Sequence, residues 1–268
     1  MVIKHEDLVG TFEQKKALVS QFNLMDDTFF SVVMEHNDAA EYLLTQLMGK
    51  PVKIIENKTQ YSIRNAETHS IVLDALVEDE EHNLYDVEVQ VGDRNNHERR
   101  LRYYGAAIDW SYLEKGKDYS ELPELYMIFI SDFDPFEMNK VQYEIIQYVK
   151  GTEIEYDNGI HIHYFNTKVD DGTFLAELLQ YMKNSDPQND KFGALSRQVG
   201  YHKYQSEEVG IMCKAVEDYG NEREELGRLE KAVEIVKDML KDNVPFETAL
   251  KYAKIDKATF EKYAENAQ

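Results

Sequence analysis

Residues 69–131 contain a succession of segments that few folds accommodate. Two β-type segments, residues 69–77 and Leu84–Gln90, are separated by a short acidic stretch that suits a hairpin turn. A helical pattern follows over residues 96–115, and the apolar run Leu125–Ser131 then has the character of a buried central strand. This order predicts a mixed α/β sheet in which the helix joins two neighbouring strands.

The rest of the chain divides into a strand-containing part and a helical part. Helical patterns cover most of residues 6–48, and after residue 170 they replace the strands altogether. Residues 184–191 are short, polar and contain a proline, which is typical of a linker. We therefore expect a core domain over residues 1–185 and a helical C-terminal region over 186–268. Further segments predicted are strands at 52–60, 141–148 and 160–166, and helices at 173–184, 206–241, 246–253 and 256–264.

The last two helices, within residues 243–264, have the spacing of a helix-turn-helix DNA reader. Their lysines are offset by acidic residues, so a small packing or oligomerisation module is an equal alternative.

Composition and charge set limits on the class of protein. The 268 residues are 43% hydrophobic and 12% aromatic, which is ample material for a packed core. The longest apolar run is far shorter than the roughly 20 residues that a membrane-spanning helix needs. The lone Cys213 has no partner for an internal disulfide, and the N-terminus lacks the pattern of a signal peptide. We therefore expect a cytoplasmic protein with no membrane association.

The formal net charge of −21 is unusual for a protein that binds a polyanion. Its distribution is uneven, however. Residues 74–93 contain eight acidic residues and no Lys or Arg, whereas Arg99, Arg100 and Arg102 follow on the predicted helix, with Tyr103 and Tyr104 beside them. These side chains are suited to contact phosphates and sugars. An alternative is that the arginines simply pair with the hairpin carboxylates.

Two carboxylates occupy positions inside apolar strands. Asp74 is flanked by apolar residues on both sides, and Glu88 lies in the following strand, on the same face as Asp86 and Gln90 by alternation. Burying a carboxylate costs several kcal/mol unless a cation meets it. If the strands pair as a hairpin, Asp74 and Glu88 lie together and offer the hard oxygen ligands that Mg²⁺ or Mn²⁺ prefers. A metal held there would activate a water for phosphodiester hydrolysis.

The spacing Asp-x13-Glu-x-Gln resembles the active-site signature of the PD-(D/E)XK nucleases, in the bacterial subgroup of putative transposases and recombination-promoting nucleases. The stretch LMDDTFFSVVM at residues 24–34, RRLRYYGAAID at 99–109 and LYMIFI at 125–130 are similar to the same subgroup. The resemblance covers residues 24–135 well and extends more loosely to 231–260. It implies a restriction-endonuclease-like core, a mixed central sheet flanked by helices, with a C-terminal helical extension.

The resemblance also implies roles for individual residues. Asp74 and Glu88 would be the metal ligands, with the Val89 carbonyl as a third, and Mg²⁺ or Mn²⁺ would be the cofactor. Gln90 falls where most relatives in the superfamily have Lys, although the subgroup resembled often has Gln. A neutral hydrogen-bonding group thus replaces a cation. Some enzymes of the superfamily recruit a further carboxylate from the first core helix, for which Glu41 is the candidate and Glu35 the alternative. The other interpretation of either residue is a solvent-facing Glu on an amphipathic helix.

The implied function is a metal-dependent DNA endonuclease, with DNA as partner and a homodimer as a way to cut both strands. One alternative keeps the nuclease fold but has a catalytically inactive DNA- or protein-binding module, because Gln90 replaces the Lys. A weaker alternative takes the charge of −21 as the mark of a protein that binds a basic surface or mimics DNA.

Overall fold

The fold is built on one six-stranded mixed sheet. In this computed structural model, the structure describes residues 12–63, 71–92, 95–204, 228–229, 231–242 and 244–264. The strands are β1 (Ile54–Ile63), β2 (Ile71–Asp79), β3 (Leu84–Gln90), β4 (Leu125–Ser131), β5 (Gln142–Ile145) and β6 (Ile160–Asn166), in the spatial order β1-β2-β3-β4-β6-β5. The predicted α/β class with a mixed central sheet is confirmed.

Helices precede, interrupt and follow the strands. They are α1 (Phe12–Val19), α2 (Asp27–Met34), α3 (Asn37–Met48), α4 (His97–Tyr112), α5 (Phe174–Asn184), α6 (Gly193–Tyr204), α7 (Phe246–Ala253) and α8 (Lys257–Ala264). Residues 231–241 are also helical, whereas Cys213 and most of the predicted helix at 206–241 lie outside the described residues. Among the residues described, we find no helix long and apolar enough to cross a bilayer.

Strand direction explains the position of α4. The β1–β2 and β2–β3 pairs are antiparallel, whereas β3–β4 and β4–β6 are parallel. Two parallel neighbours cannot be joined by a tight turn, so the chain crosses over through α4 between β3 and β4. The helix thereby covers one face of the sheet next to β3.

The alternation of side chains along β4 separates two apolar layers. Ile128 and Ile130 belong to a layer with α2, α3, α5 and α6. Met127 and Phe129 belong to the opposite layer, which includes Leu101 and Ile108 of α4. Every one of these β4 side chains is at most 1% exposed. Burial on both faces explains why this strand is a continuous apolar run in the sequence.

Helix α6 is the element that the sequence did not predict. It contains Gly193 and Gly200, which weaken a helical pattern, and it starts directly after the predicted linker. Leu195 and Val199 are fully buried in the same apolar layer as α2 and α3. Tertiary packing therefore outweighs the low intrinsic helix propensity of the segment. The predicted boundary between residues 185 and 186 stays a prediction.

The C-terminal helices form a small cluster of their own. Val236, Ala249 and Leu250 are buried together, and the rings of Phe246 and Phe260 meet at 5.2 Å. A short turn at Lys254, in the left-handed conformation, joins α7 to α8. Two short helices are therefore present where the sequence predicted them.

Candidate active site

Asp74 and Glu88 meet where β2 and β3 stop pairing. The regular ladder between these strands ends at Ala75 opposite Val87. Beyond it, the backbone N–H of Asp74 donates to Glu88 Oε1 at 3.1 Å, and the N–H of Val89 donates to Asp74 Oδ2 at 3.0 Å. Each carboxylate thus takes the place of a backbone carbonyl from the opposite strand. These reciprocal hydrogen bonds hold the two carboxylates beside each other.

A third carboxylate lies on the same side of β3. Asp86 is fully buried and Glu88 is 5% exposed. Among the residues that the structure describes, neither oxygen of Asp86 accepts a well-aligned hydrogen bond. An unsatisfied buried carboxylate is costly, so this cluster has more negative charge than its protein neighbours compensate.

The electrostatics of the cluster follow from burial. Burial raises the pKa of Asp86 well above its ordinary value, and the negative charge of Asp74 raises it further. Burial likewise raises the pKa of Glu88, with Asp74 and then Asp86 adding to the effect. A poorly aligned side-chain contact with Glu88 lowers the pKa of Asp86, and the backbone N–H of Asp74 lowers that of Glu88. The guanidinium of Arg100 then lowers the pKa of both. Three carboxylates and one nearby cation form a site that favours additional positive charge.

Helix α4 places Arg100 and Tyr104 next to these carboxylates. Arg100 is half-buried, its guanidinium carbon lies 5.4 Å from the ring centroid of Phe129, and its Nε is buried without a hydrogen-bond partner in the described part of the chain. Tyr104 is four residues further along the helix, on the same side. Burial raises its pKa, and the charge of Glu88 contributes next. The site therefore has one guanidinium and one protonated phenol in addition to its acids.

The other predicted nucleic-acid contacts point to solvent. Arg99 and Arg102 are exposed, and Tyr103 is 39% exposed on the outer side of α4. Of the five residues predicted to contact nucleic acid, Arg100 and Tyr104 therefore face the carboxylates. Arg99, Arg102 and Tyr103 lie on the outer side of the helix.

Gln90 lies at the end of β3, opposite Ser131 of β4. Its side chain is partly exposed, and its amide nitrogen donates to the carbonyl of Val91 at 3.2 Å. By alternation it shares a face with Glu88. The residue that replaces the usual Lys is thus at the rim of the site and makes a local contact.

Glu41 is directed elsewhere. Its carboxylate accepts from Lys53 Nζ at 2.8 Å and from the backbone N–H of Ile54 at 3.1 Å. These contacts tie α3 to the start of β1, whereas Asp74 pairs with β1 near residue 60, roughly 20 Å further along the strand. The structure therefore does not bring Glu41 to the carboxylate cluster. Glu35, the alternative candidate, lies at the end of α2, and its carboxylate accepts from the hydroxyl of Thr59 of β1 at 3.5 Å.

The donors present at the cluster fit a divalent cation. No group of three or more His, Cys, Asp or Glu side chains within the described ranges is arranged to hold a metal ion. Two carboxylates and a backbone carbonyl, completed by water, nevertheless match the oxygen ligands of Mg²⁺. The unsatisfied oxygens of Asp86 are the observation that favours a cation here.

A mixed sheet with a helical crossover, and paired carboxylates where two strands separate, defines the chain as a protein with a restriction-endonuclease-like fold. The family model of the PD-(D/E)XK nuclease family transposases matches residues 30–191, which is 162 of the 268 residues, and the chain belongs to this family. No curated protein and no solved structure gives a significant match. The recognition made from the sequence motifs is confirmed, and a nuclease-type function follows from the family.

Proposed function

We propose that the protein is a metal-dependent DNA endonuclease that hydrolyses phosphodiester bonds. The observation that carries the proposal is the reciprocal bonding of Asp74 and Glu88 at the separation of β2 and β3, beside the unsatisfied Asp86. Family membership adds that the fold is one used for nuclease chemistry.

Asp74, Glu88 and the carbonyl of Val89 would hold Mg²⁺ or Mn²⁺. When bound, the ion lowers the pKa of a coordinated water and neutralises charge that develops on the phosphate. The amides of Val89 and Asp74 donate to these two carboxylates and hold their oxygens in place for this role. Water adds to phosphorus and the bond to the leaving oxygen breaks, so no protein nucleophile is needed.

Arg100 would replace the cation that the usual Lys supplies. Its guanidinium already acts on Glu88 and Asp86, and its Nε has a hydrogen left to donate. Gln90, at the rim, would hydrogen-bond the attacking water or a phosphate oxygen. A guanidinium remains charged at any working pH, so it would steady the phosphate rather than accept a proton.

The outer face of α4 supports DNA as the substrate. Arg99 and Arg102, with Tyr103, would contact the phosphodiester backbone on either side of the scissile bond. We also propose residues 1–185 as the nuclease core, 186–268 as an accessory helical region with DNA-reading helices within 243–264, and the cytoplasm as the location. One site cuts one strand, so a double-strand break would need a homodimer or two successive nicks.

The test is a supercoiled-plasmid assay in Mg²⁺, Mn²⁺ and EDTA. Wild type should nick the plasmid only with metal, and Asp74→Asn and Glu88→Gln should reduce cutting by at least 100-fold because each removes a ligand charge. Glu78→Gln is the matched control, since Glu78 is a carboxylate of the same strand that bonds His82 instead. Cutting by Asp74→Asn at the wild-type rate would disprove the proposal.

The second candidate function is a binding module that retains the nuclease fold without its chemistry. The observation in its favour is Gln90, whose side-chain amide donates to the carbonyl of Val91 at the position where most relatives in the superfamily have Lys. This candidate predicts that folded wild type binds duplex DNA or a protein, and that no metal supports cutting. Cleavage that Arg100→Ala abolishes would instead favour the enzyme.

A further inference from the structure

A left-handed residue interrupts β1 directly opposite Asp74. Gln60 has φ 46°, and it is the one non-glycine residue with positive φ that lies inside a strand of the described chain. The β1–β2 pairs on both sides of it are regular and leave Gln60 in register with Asp74. A separate register shift lies between Ile54 and Glu56, so over residues 56–63 the irregularity falls only at the position opposite the proposed metal ligand.

Both strands exchange faces at this pair. Leu73 and Ala75 would share a face in a regular strand, but they belong to opposite apolar layers of the sheet. On β1, the hydroxyl of Thr59 contacts Glu35 at the end of α2, whereas Tyr61 packs in the layer of α4. The alternation of side chains thus shifts by one residue at Gln60 and Asp74. We call this position the face switch.

The side chain of Gln60 is bound to helix α2. Its Nε2 donates to Oγ of Ser31 at 2.7 Å, and Ser31 is 3% exposed. The same Oγ lies 2.8 Å from the carbonyl oxygen of Asp27 and 3.4 Å from that of Asp74. A residue with a Cβ is strained in the left-handed region, and it persists there only where its surroundings hold it. Here the buried Ser31 provides that restraint and also reaches the backbone of Asp74.

We propose that Gln60 is a positioning residue for the metal site. Through the face switch and its bond to Ser31, Gln60 sets the direction in which the side chain of Asp74 points from β2. The proposal rests on the proposed function to the extent that Asp74 is a metal ligand. Asp74 bonds the amide of Val89 across the separation of the strands, so a rotation of its backbone would move it away from Glu88. Gln60 itself touches neither the substrate nor the ion.

The test compares three variants with wild type. Gln60→Val disfavours the left-handed backbone because Val is β-branched, and Ser31→Ala removes the partner of the side chain. Ser62→Val is the matched control, since it adds the same residue to the same strand at an exposed position. Two quantities are measured for each: the affinity for Mn²⁺ alone, by electron paramagnetic resonance of the free ion, and kcat and KM for plasmid nicking.

We expect Gln60→Val and Ser31→Ala to lower Mn²⁺ affinity and kcat by 10- to 100-fold, the range typical of residues that orient metal ligands, with KM for DNA unchanged. Ser62→Val should match wild type. Circular dichroism identifies a variant that has not folded, and Ser31→Ala then decides alone.

The outcomes separate this proposal from the proposed function. Wild-type Mn²⁺ affinity and kcat in the folded Gln60 and Ser31 variants would overturn the role of Gln60 and leave the nuclease intact. Weakened Mn²⁺ binding in these variants, with no cutting by any protein, would support Gln60 and overturn the nuclease. Wild type that binds no Mn²⁺ would overturn both.

Discussion

Lys203 of α6 is a buried amine whose contribution to the free energy of unfolding should be more favourable at alkaline than at neutral pH. It is 2% exposed. Its Nζ donates to the carbonyl oxygens of Ser185 at 2.8 Å and Ser20 at 3.2 Å, and lies 5.4 Å from the ring centroid of Phe29. The amine thereby ties the ends of α1 and α5 to α6. These contacts use two of the three N–H donors of the ammonium group but place its charge in an apolar layer.

The magnitude follows from its pKa. Burial lowers the pKa of Lys203 from 10.5 to about 8, and the nearby Asp186 and Asp26 offset only part of this effect. A pKa lower by about 2.5 (10.5 minus 8) corresponds to roughly 3 kcal/mol of destabilisation when the amine is charged.

The sign of the pH dependence is fixed by proton counting. Below pH 8 the folded and unfolded states both hold the proton, and the full penalty applies. Between about pH 8 and 10.5 the unfolded state keeps a proton that the folded state has released, so the free energy of unfolding rises with pH. From pH 7 to pH 9.5 the gain is about 2 kcal/mol.

Urea unfolding of wild type and Lys203→Met at pH 7 and pH 9.5 measures this gain. The two proteins share all other titrating groups, so the change in their stability difference isolates Lys203. We expect wild type to gain about 2 kcal/mol relative to the variant. Lys168→Met, at an exposed lysine, is the matched control and should show no such change. A stability difference that stays constant within about 0.5 kcal/mol between the two pH values would refute the reasoning.

Three other substitutions test the packing and charge of the core. Asp86→Asn removes a buried carboxyl whose pKa is raised by burial. In urea titrations with EDTA, it should therefore raise the free energy of unfolding by on the order of 1 kcal/mol, and by more at pH 7 than at pH 5. A loss of stability would contradict this. Tyr85→Phe removes the 2.8 Å hydrogen bond from the Tyr85 hydroxyl to the buried Asp79, and it should lower the free energy of unfolding by about 1 to 3 kcal/mol in urea titrations. An unchanged urea midpoint would mean that water replaces the hydroxyl. Gly193→Ala places a Cβ 3.0 Å from the ring of Tyr42 at a backbone φ of 52°, so its melting temperature should fall, with a cost of about 1 to 3 kcal/mol.

Much of the sheet was predictable from hydrophobic patterns alone. Three strands, Leu84–Gln90, Leu125–Ser131 and Ile160–Asn166, have the predicted bounds because they alternate or are buried on both faces. β5 is shorter than the predicted 141–148, since pairing with β6 ends at Ile145. Local pattern cannot reveal where a neighbouring strand stops.

The site was predictable in part. Charges inside apolar strands identified Asp74 and Glu88, and the structure brings them together, although their role as ligands stays a prediction. The inward position of Arg100 had a signal, since it lies four residues before Tyr104 on the buried side of the helix. Gln60 had none, because its left-handed conformation depends on a contact with Ser31, which is 29 positions earlier in the chain.

The face switch also favours a single register of the β1–β2 pair. In an ordinary antiparallel pair, a slip by one residue turns every side chain to the wrong layer but leaves two regular strands. Here the side-chain alternation changes at Gln60 on β1 and at Asp74 on β2, and the two changes coincide in a single alignment. Misaligned β1–β2 pairings therefore turn apolar side chains to the wrong face on one side of the mismatch, so incorrect pairings are penalised during folding.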